Sequence, residues 1–275
     1  MPIPERATDA ELALGLATEA GVALLAVRAE AASVDPPVEP VELGRLGDRA
    51  AQDLLAARLA EHRPHDAVLS EEAEDDPARH TARRVWIIDP LDGTREYSEL
   101  GRSDWAVHVA LWTAGGVATG DPVLGASGAH GTGAGQAVSG SAVEGELVAA
   151  AVALPALGEA YGTADPHRPP PRDPAAPVRI AVSRSRPPTF LAALAARIGA
   201  DLVPMGSAGA KTMAVVRGEV DAYLHGGGQY EWDSAAPVAV AVAAGLHASR
   251  LDGGPLRYNR PDPLLPDLFV CRPEL

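Results

Sequence analysis

Val85-Trp86-Ile87-Ile88-Asp89-Pro90-Leu91-Asp92-Gly93-Thr94 is the stretch from which the rest of this chain can be read. The apolar run 85–88 has the length and β-branched content of a buried strand. It stops at two carboxylates, Asp89 and Asp92, with a proline between them and a glycine after. Pro90 stiffens the chain there and keeps Asp89 out of helical geometry. The Leu91 carbonyl is left without an evident ladder partner, free to face a cation. Gly93 allows close approach of backbone to a ligand. A helix starting at Thr94 over 94–100 offers its first N–H groups as a seat for phosphate. Taken alone, Asp-Pro-x-Asp-Gly is an ordinary turn closed by local hydrogen bonds. Its meaning depends on what the chain brings beside it.

Upstream, Thr8 and Glu11 form a capping box and apolar residues follow at helical spacing, which predicts a helix over 9–32. The run 35–40, DPPVEP, cannot continue it. A second helix is expected over 48–61, and a short strand over 67–70. Downstream, 105–111 alternates: Trp105, Val107, Val109 and Leu111 share one face, and Ala106, His108 and Ala110 the other. That pattern predicts a half-buried antiparallel strand. Residues 114–141, dense in Gly, Ala and Ser, read as a flexible surface insertion, and 147–154 as a strand. The proline-rich run 166–177 reads as a linker.

The last third changes rhythm. Strands over 179–183, 202–205, 220–225 and 268–271 alternate with helices over 187–198, 208–217 and 234–244, the signature of an α/β layer. The fold expectation is therefore α+β followed by α/β, in two subdomains: 1–165, carrying metal-binding residues, and 178–275, facing the substrate.

Composition narrows the function. The chain has 275 residues, 47% of them hydrophobic, and a formal charge of −14. That balance excludes a basic nucleic-acid surface, but not a small anionic substrate, because bound divalent cations reverse the local field. No apolar run approaches the roughly 20 residues of a membrane span. The N-terminus lacks the basic start and apolar core of a signal peptide. The single cysteine, Cys271, excludes an internal disulfide and a cysteine metal cluster. The cytoplasm is the expected compartment, with neither membrane nor nucleic-acid polymer as partner.

Hard divalent cations want several oxygen ligands. Four segments offer carboxylates where a strand or loop is expected to meet a helix: Asp48 in Gly47-Asp48, Glu71 in Ser70-Glu71-Glu72, Asp89 with Asp92, and Asp233 in Trp232-Asp233. Carboxylates for cations beside free amides for an oxyanion are the layout of a metal-dependent phosphate-ester enzyme. His62, His65, His80 and His130 read as solvated, and Trp86 and Trp105 as core.

In order and wording these segments resemble the inositol monophosphatase superfamily of magnesium-dependent, lithium-sensitive phosphatases. The likeness rests on Gly47-Asp48, Leu69-Ser70-Glu71-Glu72, Trp86 to Thr94, and Trp232-Asp233-Ser234-Ala235-Ala236. Within it, Val182-Ser183-Arg184-Ser185, the run Gly206 to Lys211, Val220 to Leu224 and Tyr258-Asn259 are similar to the CysQ type, the 3′(2′),5′-bisphosphate nucleotidases of sulfur metabolism. The chain departs from that type in lacking the usual lysine-containing loop before Asp48, in Arg186 where histidine is common, and in His225 where arginine is common.

The resemblance implies a layered αβαβα sugar-phosphatase fold and two to three Mg²⁺ ions. It implies Glu71, Asp89 and the Leu91 carbonyl on one ion, and Asp89, Asp92 and Asp233 on a second. Thr94 and Asp48, with Glu71, would activate a water for in-line attack. Gly93, Thr94, Asp233, Ser207 and Ala208 would touch substrate, and Arg184 and Lys211 a second phosphate. The implied substrate is 3′-phosphoadenosine 5′-phosphate. An inositol or fructose-1,6-bisphosphate phosphatase is the alternative within the class, and a non-catalytic metal-binding regulator the alternative outside it. A homodimer is the assembly common among such relatives.

Overall fold

The computed structural model describes residues 3, 4, 6–36, 38–115 and 144–275. The expected insertion over 114–141 lies outside these residues, apart from Ala114 and Gly115 where a strand ends.

Helix α1 (Asp9–Ser33) opens on the expected box: the Thr8 hydroxyl accepts from the Glu11 amide and the Glu11 carboxylate accepts from the Thr8 amide at 2.9 Å. By length and composition α1 could cross a membrane, contrary to the expectation that no run is apolar enough. Here it is a core helix: Leu12, Leu16 and Leu24 are fully buried where it packs on α2 (Pro40–His62) and the first sheet.

α2 starts eight residues before the expected position, at Pro40 rather than Asp48. Proline suits the first helical position, where its missing N–H costs nothing. Gly44 and Gly47 look like helix breakers but mark a close packing against α3 (Thr94–Ser98). A Cβ on Gly44 would lie 2.8 Å from the Thr94 methyl, and one on Gly47 2.6 Å from the Tyr97 ring. Asp48 therefore sits inside a helix, not at a loop–helix junction as expected.

The first sheet has the order β1-β2-β3-β4-β5, from β1 (Ala67–Ser70), β2 (Arg84–Asp92), β3 (Ala106–Ala114), β4 (Gly145–Leu154) and β5 (Glu159–Gly162). β1 runs parallel to β2 and the other pairs are antiparallel, so the sheet is mixed. β3 is buried on both faces, not half-buried. The alternation seen in sequence separates two cores rather than core from water. Trp86, Ile88, Trp105, Val107, Val109 and Leu111 face α1 and α2. Val85, Ile87, Ala106 and Ala110 face the opposite way, toward α5 (Ala208–Val216) and α6 (Glu231–Ala243).

The second sheet has the order β10-β12-β8-β6-β7, built from β6 (Arg179–Ser183), β7 (Asp201–Met205), β8 (Ala222–His225), β10 (His247–Ser249) and β12 (Leu268–Cys271). β6 lies parallel to β7 and β8, while β12 and β10 add antiparallel edges. A small ladder pairs β9 (Gln229–Tyr230) with β11 (Leu264–Leu265). α4 (Thr189–Ile198) covers the outer face through Leu191. The order is α1/α2, sheet, α5/α6, sheet, α4: the αβαβα layering expected. One apolar core runs from Leu69 and Ile87 of the first sheet to Tyr223 and Val270 of the second.

Candidate active site

β2 does not stop at Ile88. It continues to Asp92, with the register to β3 shifting between Asp89 and Asp92. Pro90 thus sits in a bulge, one of the few places a strand tolerates it. The bulge lets Asp89, 1% exposed, and Asp92, 6% exposed, both leave the sheet. The Asp89 carboxylate also closes a local turn, accepting from the Leu91 amide at 3.1 Å. Asp233 comes from the first turn of α6, held by the Tyr230 amide donating to it at 2.7 Å. One carboxylate oxygen each from Asp89, Asp92 and Asp233 lies within 4.8 Å of the others. Glu71, just past β1, is exposed as a residue and lines the same cavity as Asp89.

The electrostatics are those of a cage short of positive charge. Burial, then the neighbouring acids Asp233 and Asp92, raises Glu71 to about 7. Burial and the repulsion of Asp92 raise Asp233 to about 6. Burial and then Glu71 push Asp89 well above the usual carboxylate range. Asp89 Oδ2 is buried and has no hydrogen-bond partner among the described residues. An oxygen-only donor set with an orphaned buried oxygen fits a hard divalent cation.

Asp92 behaves oppositely. Burial raises it, but His108, the Ser207 hydroxyl at 2.5 Å and the Gly209 amide at 2.6 Å outweigh that and hold it at about 2. Leu91, expected to offer its carbonyl, receives a long hydrogen bond there from the Thr94 hydroxyl, 3.3 Å.

Thr94 joins two roles. Its hydroxyl lies 3.3 Å from Asp48 as well as from the Leu91 carbonyl. Burial, then the nearby Glu72, raises Asp48 to about 7. Gly93 precedes Thr94 at φ 89°, a left-handed conformation that glycine adopts freely. Gly93 and Thr94 line the cavity with the acidic group, and a Cβ on Gly93 would lie 3.0 Å from the Ser207 side chain.

A cavity of about 350 Å³ opens over these residues, lined also by Arg95, Arg186, Lys211, Tyr223, His225 and Gln229. A wider cleft of about 840 Å³ adjoins it, floored by Pro40, Val41 and Gly44 of α2. Four expected substrate contacts fall at this rim or wall with other engagements. Arg184 is ion-paired with Glu96 at 2.7 Å and Glu99 at 2.9 Å. Lys211 is buried, its Nζ donating to the Gly206 and Ser207 carbonyls and lying 5.1 Å above the Tyr223 ring. Ser207 donates to Asp92 and accepts from the Ala210 amide as the cap of α5. Ala208 begins α5 in the cavity wall.

Other contributors were not singled out in the sequence. Asp104 fixes the Gly206-Ser207 turn, its carboxylate accepting from the Gly206 amide at 2.6 Å and its carbonyl from Ser207 at 3.2 Å. Glu231 takes the Asn259 and Arg260 amides at 2.6 and 2.8 Å, while fully buried Arg79 donates to Asn259. These bonds explain Tyr258-Asn259 as an anchor for the start of α6, and hence for Asp233. His108 is wholly buried, with Nε2 3.2 Å from Asp92 and Nδ1 3.0 Å from the Trp232 carbonyl. A lone polar side chain on an alanine face was the available signal.

The profile described as "Inositol monophosphatase family" matches residues 6–269. A Mycobacterium leprae protein named 3′-phosphoadenosine 5′-phosphate phosphatase is 52% identical over 98% of this chain and 90% of its own. The Escherichia coli 3′(2′),5′-bisphosphate nucleotidase CysQ is 31% identical over 77% of this chain and 78% of its own. Among solved structures, CysQ from Bacteroides thetaiotaomicron superposes with a TM-score of 0.67 at 26% identity, covering 96% of each chain.

Proposed function

The chain belongs to the inositol monophosphatase family, and from that premise we propose that it is a metal-dependent phosphatase releasing the 3′-phosphate of 3′-phosphoadenosine 5′-phosphate. The observation that carries the reaction is the group of Asp89, Asp92 and Asp233, their oxygens within 4.8 Å, opening on a cavity lined by Thr94, whose hydroxyl reaches Asp48. Substrate choice follows the 52% identity to mycobacterial proteins of that name.

Asp89, Asp92, Asp233, Glu71 and the Leu91 carbonyl are the groups to hold the cations, which we take as two to three Mg²⁺. When bound, such ions acidify a coordinated water and offset charge on the phosphoryl and leaving oxygens. The chain's own part is specific. Asp48, ionised, accepts a proton from the attacking water through the Thr94 hydroxyl between them. The open amides of Gly93 and Thr94 orient the phosphoryl oxygens. Asp92, held as a carboxylate at about 2 by its donors, keeps its charge across the working range.

The second phosphate falls to Arg186 rather than Arg184. Both begin at the end of β6, but Arg184 is spent on Glu96 and Glu99, whereas Arg186 lines the cavity. Lys211, turned to two carbonyls, supplies field more than contact. We place the protein in the cytoplasm as a homodimer, an assembly checked by light scattering.

A phosphate-release panel tests the whole reading: 3′-phosphoadenosine 5′-phosphate, inositol 1-phosphate and fructose 1,6-bisphosphate, each with Mg²⁺ and with chelator. The expected result is metal-dependent release that is fastest from the first. No release from any of the three would overturn the enzyme reading.

A further inference from the structure

We propose that His108 is a positioning residue for the metal cage, fixing which oxygen of Asp92 faces the ions and tying the β2 bulge to the start of α6. The inference rests on the metal-dependent reading above and deepens it.

A free carboxylate can present either oxygen to an ion. Here Asp92 Oδ2 accepts from the Ser207 hydroxyl at 2.5 Å and the Gly209 amide at 2.6 Å, and His108 Nε2, outside hydrogen-bond geometry, stands in close contact with it at 3.2 Å. Oδ1 is the oxygen left for the cage. The Ser207 and Gly209 donors come from the β7–α5 side, and His108 alone approaches from β3. Its other nitrogen reaches the Trp232 carbonyl at 3.0 Å, one residue before Asp233. One ring therefore spans two carboxylate segments separated by about half the chain. It lies behind them and does not line the cavity, so it acts through Asp92 rather than on substrate.

The space for this ring is specific. A Cβ at position 209 would lie 2.1 Å from His108 Nε2 and 3.0 Å from the Ala106 methyl. Gly209 thus serves the same contact twice, through its amide and through its missing side chain. Buried groups packed against a metal ligand so as to fix its orientation typically govern affinity for the ion.

The experiment compares His108→Gln, His108→Asn and His108→Leu in the full-length protein. A glutamine amide reaches the place of Nε2 and keeps the Asp92 arm. An asparagine amide reaches only the place of Nδ1 and keeps the Trp232 arm. Mn²⁺ binding is read by calorimetry, with kcat at saturating metal and Tm without metal as separate readouts. The expected result is Mn²⁺ binding weakened about tenfold or more in the Leu and Asn variants and within about threefold of wild type in the Gln variant. Metal-free Tm should not follow that order, and kcat at saturating metal should change less than affinity. Leu binding Mn²⁺ as tightly as wild type, or Gln as weakly as Leu, would overturn the proposal. A wild type that binds no Mn²⁺ would instead overturn the metal-phosphatase reading on which it stands.

Discussion

At the scale of single residues, the two aspartates of the opening stretch have opposite surroundings. Asp89 has an unpartnered buried oxygen and repelling neighbours, while Asp92 is wrapped in donors. Removing the charge of Asp92 by Asp92→Asn should lower kcat at least about a hundredfold, since even indirect partners of a ligand cost that much. Thermal melting should show a folded protein; full activity in this variant would overturn the metal assignment. Asp48, raised to about 7 by burial and Glu72, has to be ionised to act as base. The rate kcat/KM should therefore rise with pH through a limb near 7. Asp48→Asn should abolish that limb and about 10²- to 10⁴-fold of the rate. The carboxylate segments were legible because each stands in a recognisable run. Their partners were not. Arg184 with Glu96, or Ser207 with Asp92, are meetings of residues about a hundred positions apart, and no local pattern encodes them.

At the scale of elements, most strands and helices follow from periodicity, and the misses have definable causes. The start of α2 was hidden by glycines that usually break helices, yet here let α2 settle on α3. The extension of β2 was hidden by a proline that a bulge accommodates. The strands β9, β10 and β11 are too short to show a period. Gly47→Ala tests the α2–α3 packing. Helix propensity alone would stabilise by about 0.5–1 kcal/mol. The new methyl, 2.6 Å from the Tyr97 ring, faces a rigid buried neighbour, and such overpacking costs about 1–3 kcal/mol. The net expectation is a lower melting temperature. Turnover should fall as well, because Asp48 follows directly in the helix and its contact with Thr94 is already long. A stabilised, fully active variant would contradict the packing.

At the scale of the whole molecule, the α/β character of the C-terminal half was legible from the change of rhythm in the last third, and the five-layer arrangement followed from the family resemblance. The burial of both faces of β3 was not legible, because an alanine-rich face looks like a weak one until a second helical layer covers it. The acidic cage lies where α6 of the C-terminal half meets β2 of the N-terminal half, so binding there and global stability are linked. Without metal, the raised Glu71, Asp233 and Asp89 bind protons more tightly in the folded than in the unfolded chain. The contribution of Glu71 and Asp233 is full below the unfolded values near 4 and is lost as pH rises toward 7, and Asp89 acts in the same direction. Asp92, lowered to about 2, works the other way, but only well below that window. The metal-free protein should melt several degrees lower at pH 7.5 than at pH 5.5, and saturating Mg²⁺ should restore more at the higher pH. Equal melting at both pH values would contradict the charge deficit.

Burial and the crowded acids also raise the proton affinity of Glu71 and Asp89 in the folded chain. Near neutrality the empty cage is an acid form, and a cation enters by exchange rather than by simple addition. Loading should therefore discharge protons into the medium. The heat of Mn²⁺ uptake at pH 6.5 should shift with the ionisation enthalpy of the buffer. The slope of that dependence counts the protons expelled per ion, a measure of the site that needs no substrate.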